Sequence, residues 1–144
     1  NFMRSDKDYR QVHILLVEDD DVDAMGIERS MKNMRLLNPY TRAKDGVEAL
    51  DLLRRGQILK PYLILLDLNL PRLNGLDFLH EVRSDPELKD AIIFVLTTSN
   101  NEEEIYAAYK ENIAGYVVKS TLSQDFNQLL LFLDHYWRVV ELPN

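Results

Sequence analysis

Cysteine is absent from the 144-residue chain. Its absence excludes a disulfide scaffold and thiolate chemistry, and it fits a reducing compartment. Long hydrophobic runs are also missing, since stretches such as residues 63–66 (LILL) are too short to cross a bilayer. No basic segment followed by an apolar one opens the chain, as an export signal would. We therefore expect a cytoplasmic protein that does not span a membrane.

Basic residues are the minority charge, with 17 Lys and Arg against 24 Asp and Glu, for a formal net charge of -7. An acidic surface disfavours nonspecific nucleic-acid binding, which depends on neutralising phosphates. The charge instead favours a cation or another protein as partner. The apolar fraction of 46% is that of a folded globular chain, and the length suits one domain with one core.

Three apolar runs have the pattern of strands buried on both faces of a parallel sheet. They cover residues 12–17 (VHILLV), 63–66 (LILL) and 91–96 (AIIFVL). Residues 40–43 and 115–118 (GYVV) are two shorter predicted strands. The segments between the strands carry apolar residues at helical spacing, or capping signals for a helix. The helical signals are Ala24, Ile27, Met31 and Met34; Val47, Leu50 and Leu53; residues 76–83; the pairs Ser99/Glu102 and Asn100/Glu103; and Phe126, Leu129, Leu130, Leu133 and Trp137.

This β-α alternation, repeated five times, predicts an α/β fold with a doubly wound five-stranded parallel sheet and helices on both faces. We expect residues 1–11 to be a flexible lead-in and residues 12–144 to form a single domain without an attached output domain. Ligands of such folds bind beyond the carboxyl ends of the strands.

Polar residues follow four of the predicted strands directly. They are an acidic cluster from Glu18 to Asp21, then Asp67, Thr97 and Lys119. Two carboxylates about 4 Å apart repel by about 4 kcal/mol at an effective dielectric near 20, so the converged site takes up a proton or a cation. Oxygen ligands without His or Cys favour Mg²⁺ over Zn²⁺. A carboxylate beside a metal, with an ammonium and a hydroxyl poised around it, can serve as an aspartyl-phosphate nucleophile.

Each of these residues also has an ordinary structural explanation. The acidic cluster fits a solvated helix N-terminus, Asp67 a loop cap, Thr97 a local turn, and Lys119 a surface charge. All of them would then have to lie at strand ends by coincidence, which favours the functional interpretation.

Five motifs in order along the chain resemble the receiver domain family of two-component response regulators, over residues 12–137. The motifs are VEDD (17–20), DGVEAL (45–50), LLDLNLPRLNG (65–75), VLTT (95–98) and GYVVK (115–119). The resemblance implies a flavodoxin-like receiver domain with strand order 2-1-3-4-5. It also implies a signalling protein that is no enzyme beyond its own phosphorylation and dephosphorylation, with Mg²⁺ as cofactor and a sensor histidine kinase as partner.

The resemblance also implies a role for each matching site residue. The phosphoacceptor would be Asp67, the metal ligands Glu18, Asp19, Asp67 and the backbone carbonyl of Asn69, the switch pair Thr97 and Tyr116, and the phosphate-pairing lysine Lys119. Asp19 is expected to be the direct ligand of the acidic pair.

Two features depart from the motifs. Ser120 stands where the family usually has Pro after the lysine, so we expect a trans bond there, because a non-proline cis bond costs about 2.5–4 kcal/mol. Asp20, Asp21 and Asp23 lie past the acidic pair, and we expect them to be first-turn helix charges.

The resemblance narrows to the small response regulators that partner phytochrome-type histidine kinases. The features that narrow it are the segments LLDLNLP and VLTTSN, the serine after the lysine, and a Tyr-Trp pair near the end of the chain.

Three other functions fit parts of the pattern. A haloacid dehalogenase-type phosphatase also uses a strand-end Asp with Mg²⁺, but the run from Asp67 to Pro71 lacks the second Asp of a D-x-D-x-T motif. A flavodoxin-like electron carrier would need a phosphate loop after the first strand, where this chain has acids. A receiver-like scaffold that is never phosphorylated is the third possibility.

The last predicted helix has a second apolar stripe, Phe132, Tyr136 and Val139, beside its core stripe. With Tyr106 and Tyr109 this stripe predicts a homodimer through the face formed by the fourth helix, fifth strand and fifth helix. The alternative is that the second stripe widens the contact of the helix with the core.

Overall fold

Strands and helices alternate along the whole of the computed structural model, which describes residues 12–122 and 126–143. The elements are β1 (His13–Val17), α1 (Asp21–Asn33), β2 (Tyr40–Ala43), α2 (Gly46–Arg54), β3 (Tyr62–Leu66), α3 (Gly75–Ser84), β4 (Ile92–Thr97), α4 (Glu102–Lys110), β5 (Gly115–Val118), a 3-10 turn (Lys119–Thr121) and α5 (Asn127–Val139). The predicted lead-in, residues 1–11, lies outside the described residues.

The sheet has five parallel strands in the order β2-β1-β3-β4-β5, which confirms the predicted fold class and strand order. Its register brings the strand ends level. Val17 at the end of β1 pairs with Leu66 at the end of β3, and Thr97 of β4 pairs with Val118 of β5. The residues that follow these strands are therefore neighbours at one edge of the sheet.

Two hydrophobic cores cover the two faces of the sheet. Alternate side chains of the inner strands supply both, as Leu15 and Ile64 do on one face and Ile14 and Leu63 on the other. Helices α2, α3 and α4 cover the first face, whereas α1 and α5 cover the second, where Trp137 is fully buried. This burial on both faces explains why the central strands are apolar at all but their end positions.

Two local sequence predictions were wrong. Val47 is exposed, and Ala49 lies in the core, because the buried side of α2 consists of Gly46, Ala49, Leu50 and Leu53. Helix α4 begins one or two residues later than the capping spacings predicted. Asn101 is its cap, because the Asn101 side chain accepts hydrogen bonds from the backbone N–H groups of the next turn.

The helices are short. Over residues 12–122 and 126–143, none combines the length and the apolar character that a bilayer crossing requires.

Candidate functional site

The floor of the candidate site consists of Glu18 and Asp67, the first residues beyond β1 and β3. The Glu18 N–H donates to the Ala43 carbonyl at 3.0 Å, and the Asp67 N–H donates to the Val17 carbonyl at 3.0 Å, so both continue the sheet pairing. Both side chains are buried, with Glu18 only 1% exposed, while Asp19 is exposed at the rim. One carboxylate oxygen from each of Glu18, Asp19 and Asp67 lies within 4.8 Å of the other two.

The loop after Asp67 folds back tightly under the site. The Asn69 N–H donates to Asp67 Oδ1 at 3.0 Å, and the Gly75 N–H donates to the Leu68 carbonyl at 2.9 Å. A Cβ at position 75 would lie 2.4 Å from the Leu68 Cα and 2.9 Å from the Asp67 carbonyl oxygen. Only glycine allows this approach, so Gly75 fixes the loop that carries Asn69.

Lys119 enters the site from the end of β5 and is almost enclosed, since only 10% of its side chain is exposed. Its Nζ lies 2.7 Å from Glu18 Oε1, 2.6 Å from Asp23 Oδ2 and 3.3 Å from Asp67 Oδ2. The chain then forms the 3-10 turn, and the peptide bond before Ser120 is trans, as expected for a non-proline residue.

The contact of Asp23 with Lys119 was missed by the sequence reasoning. Asp23 lies in the first turn of α1, as expected, but it also points into the site. Its spacing from the cap was the available signal, because a residue three positions after the N-cap Asp20 returns to the edge where the helix meets the strand ends.

Negative charge dominates this site. Burial, together with the neighbouring Asp67, raises the pKa of Glu18 to about 8, against the opposing pull of Lys119. Burial alone would lower the pKa of Lys119, but its hydrogen bonds to Asp23 and Glu18 raise it overall. Glu18, Asp19 and Asp67 offer only hard oxygen ligands, and one ammonium does not balance their charge. This donor set fits a divalent cation of the Mg²⁺ class.

A chain of hydrogen bonds leads from Asp67 to Tyr116. Asn69, which binds Asp67 through its backbone, also donates from Nδ2 to Thr97 Oγ1 at 3.5 Å. Thr97 is fully buried, and its Oγ1 accepts from the Ser99 N–H at 3.4 Å. The Tyr116 hydroxyl donates to the Ser99 carbonyl at 3.0 Å. The two predicted switch residues are thus joined through Ser99.

The predicted dimer residues lie apart from this site. Tyr106 and Tyr109 are exposed on α4, and Phe132 and Val139 are exposed on α5. Tyr136, in contrast, is half-buried, because its ring packs edge-on against the Phe94 ring with centroids 5.1 Å apart.

Carboxylates, a lysine and a threonine meet at the strand ends of this doubly wound parallel sheet, and the chain belongs to the response regulator receiver domain family. The family matches residues 14–131. Proteins of this family, which include chemotaxis CheY proteins, are signalling proteins rather than classical enzymes. Membership therefore separates the chain from the phosphatase and electron-carrier classes.

Individual relatives are similar over nearly the whole chain. Response regulator Rcp1 of Synechocystis sp. is 34% identical over 135 residues, which is 90% of this chain and 92% of that protein. The crystal structure of the Mn(2+)-bound form of Rcp1 matches with a TM-score of 0.80 at 33% identity, over 92% of this chain and 99% of that one. The phosphorylated cyanobacterial phytochrome response regulator RcpA matches with a TM-score of 0.77 at 34% identity, over 93% and 99%.

Proposed function

We propose that this receiver domain accepts a phosphoryl group on Asp67 from a sensor histidine kinase, in a Mg²⁺-dependent reaction, and signals through protein contacts. The observation that carries the proposal is the buried Asp67 carboxylate, which lies beside the acidic pair and 3.3 Å from the Lys119 ammonium. That arrangement suits a carboxylate nucleophile whose product is a dianion in need of positive charge.

Each residue then has a definite task. A carboxylate oxygen of Asp67 forms the new bond to phosphorus as the bond from phosphorus to the kinase histidine nitrogen breaks. Glu18, Asp19, Asp67 and the Asn69 carbonyl would hold the metal, which supplies positive charge for the phosphoryl oxygens when bound. Lys119 pairs with another of those oxygens.

The conformational switch is assigned to Thr97 and Tyr116. A phosphoryl oxygen on Asp67 attracts the Thr97 hydroxyl, which makes room for Tyr116 to turn inward, and α4 follows. Phosphorylation shifts the equilibrium only by its different interaction with the two states. The hydrogen-bonded chain through Ser99 supports this coupling.

Phosphorylation is tested by labelling with radioactive acetyl phosphate and Mg²⁺. The unmodified chain should be labelled and Asp67→Asn should not, because an amide is no nucleophile for this transfer. Asp77→Asn makes the same change at an exposed carboxylate in the first turn of α3 and should keep full labelling. Equal labelling of the Asp67 variant and the unmodified chain would overturn the proposal.

A phytochrome-type kinase is the proposed donor, and the similarity to Rcp1 and to the phytochrome regulator RcpA supports it. The lack of cysteine is the basis for placing the exchange in the cytoplasm. Phosphotransfer rates from a phytochrome-type kinase and from a chemotaxis kinase test the assignment. Equal rates from both kinases would contradict it.

We further propose that the chain forms a homodimer through the face of α4, β5 and α5. Exposed aromatic rings on two helices support this, because aromatic residues are enriched at interface cores and a two-fold contact is the commonest kind. The packing of Tyr136 on Phe94 means that part of the second α5 stripe also widens the core. The solution mass at tens of micromolar, with and without phosphorylation, tests the proposal, and a monomer in both states would contradict it.

A further inference from the structure

Asp23 makes the shortest contact of the Lys119 ammonium, at 2.6 Å, although it belongs to α1 and not to a strand end. The pair is shielded from solvent, since 10% of the Lys119 side chain and 27% of the Asp23 side chain are exposed. Exposed helix charges gain little from pairing, whereas a charged hydrogen bond in a shielded site is strong. Asp23 therefore does more than stabilise the first turn of its helix.

The ammonium group of Lys119 has no donor to spare. A lysine carries three N–H donors, and here three carboxylates surround it. The two short contacts go to Asp23 and Glu18, while the contact to Asp67 is the longest, at 3.3 Å. A phosphoryl oxygen on Asp67 would have to draw the ammonium away from one of the two nearer carboxylates.

We propose that Asp23 is a positioning residue that holds Lys119 toward α1 and so competes with the phosphorylated Asp67 for its ammonium. This inference rests on the proposed phosphorylation of Asp67. Asp23 does not contact the reacting atoms, and it acts through Lys119. Its removal frees one donor, so a phosphoryl group should be held more tightly.

The experiment measures the affinity of the full chain for beryllofluoride, an analogue of the phosphoryl group, with saturating Mg²⁺. Asp23→Asn should bind it on the order of tenfold more tightly, because a neutral amide oxygen holds the ammonium more weakly than a carboxylate does. Asp23→Glu keeps the carboxylate and should return the affinity toward that of the unmodified chain. Asp21→Asn is the matched control, because it removes the same charge from the same turn at a side chain that is 68% exposed and pairs with Arg42 instead.

A Lys119→Met background separates positioning from simple charge removal. If Asp23 acts through the lysine, Asp23→Asn should leave the affinity of that background unchanged. A readout without metal is the Lys119 Nζ NMR signal, which should move in Asp23→Asn and not in Asp21→Asn. This second readout remains decisive if the Lys119 variant does not fold.

Two results would overturn the inference alone. One is equal affinity for beryllofluoride in Asp23→Asn and Asp21→Asn, and the other is a full effect of Asp23→Asn without Lys119. If the unmodified chain neither binds beryllofluoride nor becomes labelled by acetyl phosphate, the proposed function fails and this inference with it.

Discussion

Replacing the buried Glu18 with Gln should stabilise the metal-free protein at slightly alkaline pH. Its carboxylate lies among other acids, and burial with the neighbouring Asp67 raises its pKa from 4.5 to about 8. Between these two pH values the folded protein holds a proton that the unfolded chain has released. The free energy of unfolding therefore falls as pH rises through this window.

The size of the effect follows from the shift. At 1.36 kcal/mol for each pKa unit, the shift from 4.5 to about 8 limits the loss of unfolding free energy caused by Glu18 to roughly 5 kcal/mol. A glutamine keeps the shape and one acceptor, but its amide N–H groups face Lys119, which removes part of the gain. We expect the Glu18→Gln variant to be about 2 kcal/mol more stable at pH 8 and equal to the unmodified chain near pH 4.5.

Urea denaturation at several pH values, in a chelator, measures this difference. Asp19→Asn is the control, because it removes the next carboxylate along the chain at an exposed position. Saturating Mg²⁺ should reverse the order of stability, since a ligand at a hundred times its dissociation constant adds about 2.7 kcal/mol to a chain that binds it. If Glu18→Gln is less stable at pH 8 without metal, or keeps the pH dependence of the unmodified chain, the reasoning fails.

Three further predictions concern the metal, the switch and the dimer. Asp19→Ala should weaken Mg²⁺ binding at least as much as Glu18→Ala, by roughly tenfold or more, and the opposite order in a calorimetric titration would reverse the assignment. Thr97→Ala should still accept phosphate but lose most of its phosphorylation-dependent binding to a partner, and normal pull-down of the partner would exclude the hydroxyl as the switch. Phe132→Asp should give a folded monomer by light scattering, while the control Leu131→Asp, an exposed apolar position beside it on α5, should leave a dimer intact.

The sheet and the residues at its edge could be predicted from the sequence because one physical rule produces both. Strands buried on both faces must be apolar throughout, so the first polar residue after each run marks a strand end. Glu18, Asp67 and Lys119 were found in this way, and parallel register then brings them together.

Contacts that depend on side-chain direction could not be predicted. Asp23 was placed correctly on its helix, and its spacing from the cap indicates that it faces the strand ends, but that spacing does not identify Lys119 of the β5 end as its partner. Tyr136 was assigned to an outer stripe, and only the structure shows that its ring packs edge-on against the Phe94 ring of β4. Such contacts join residues far apart in the chain, and a periodic pattern reports only which side of one element is apolar.

The distances along the switch chain indicate where the proposed transition has its energetic cost. Both contacts of Thr97 Oγ1, at 3.5 Å and 3.4 Å, are longer than a strong hydrogen bond. In both contacts Oγ1 is the acceptor. Among the described residues no group takes the hydrogen of the Thr97 hydroxyl, so this hydrogen is available to a phosphoryl oxygen. The bond from Tyr116 to the Ser99 carbonyl, at 3.0 Å, has ordinary strength and must break before the ring turns. In the proposed switch, the release of Tyr116 should therefore cost more free energy than the movement of the Thr97 hydroxyl.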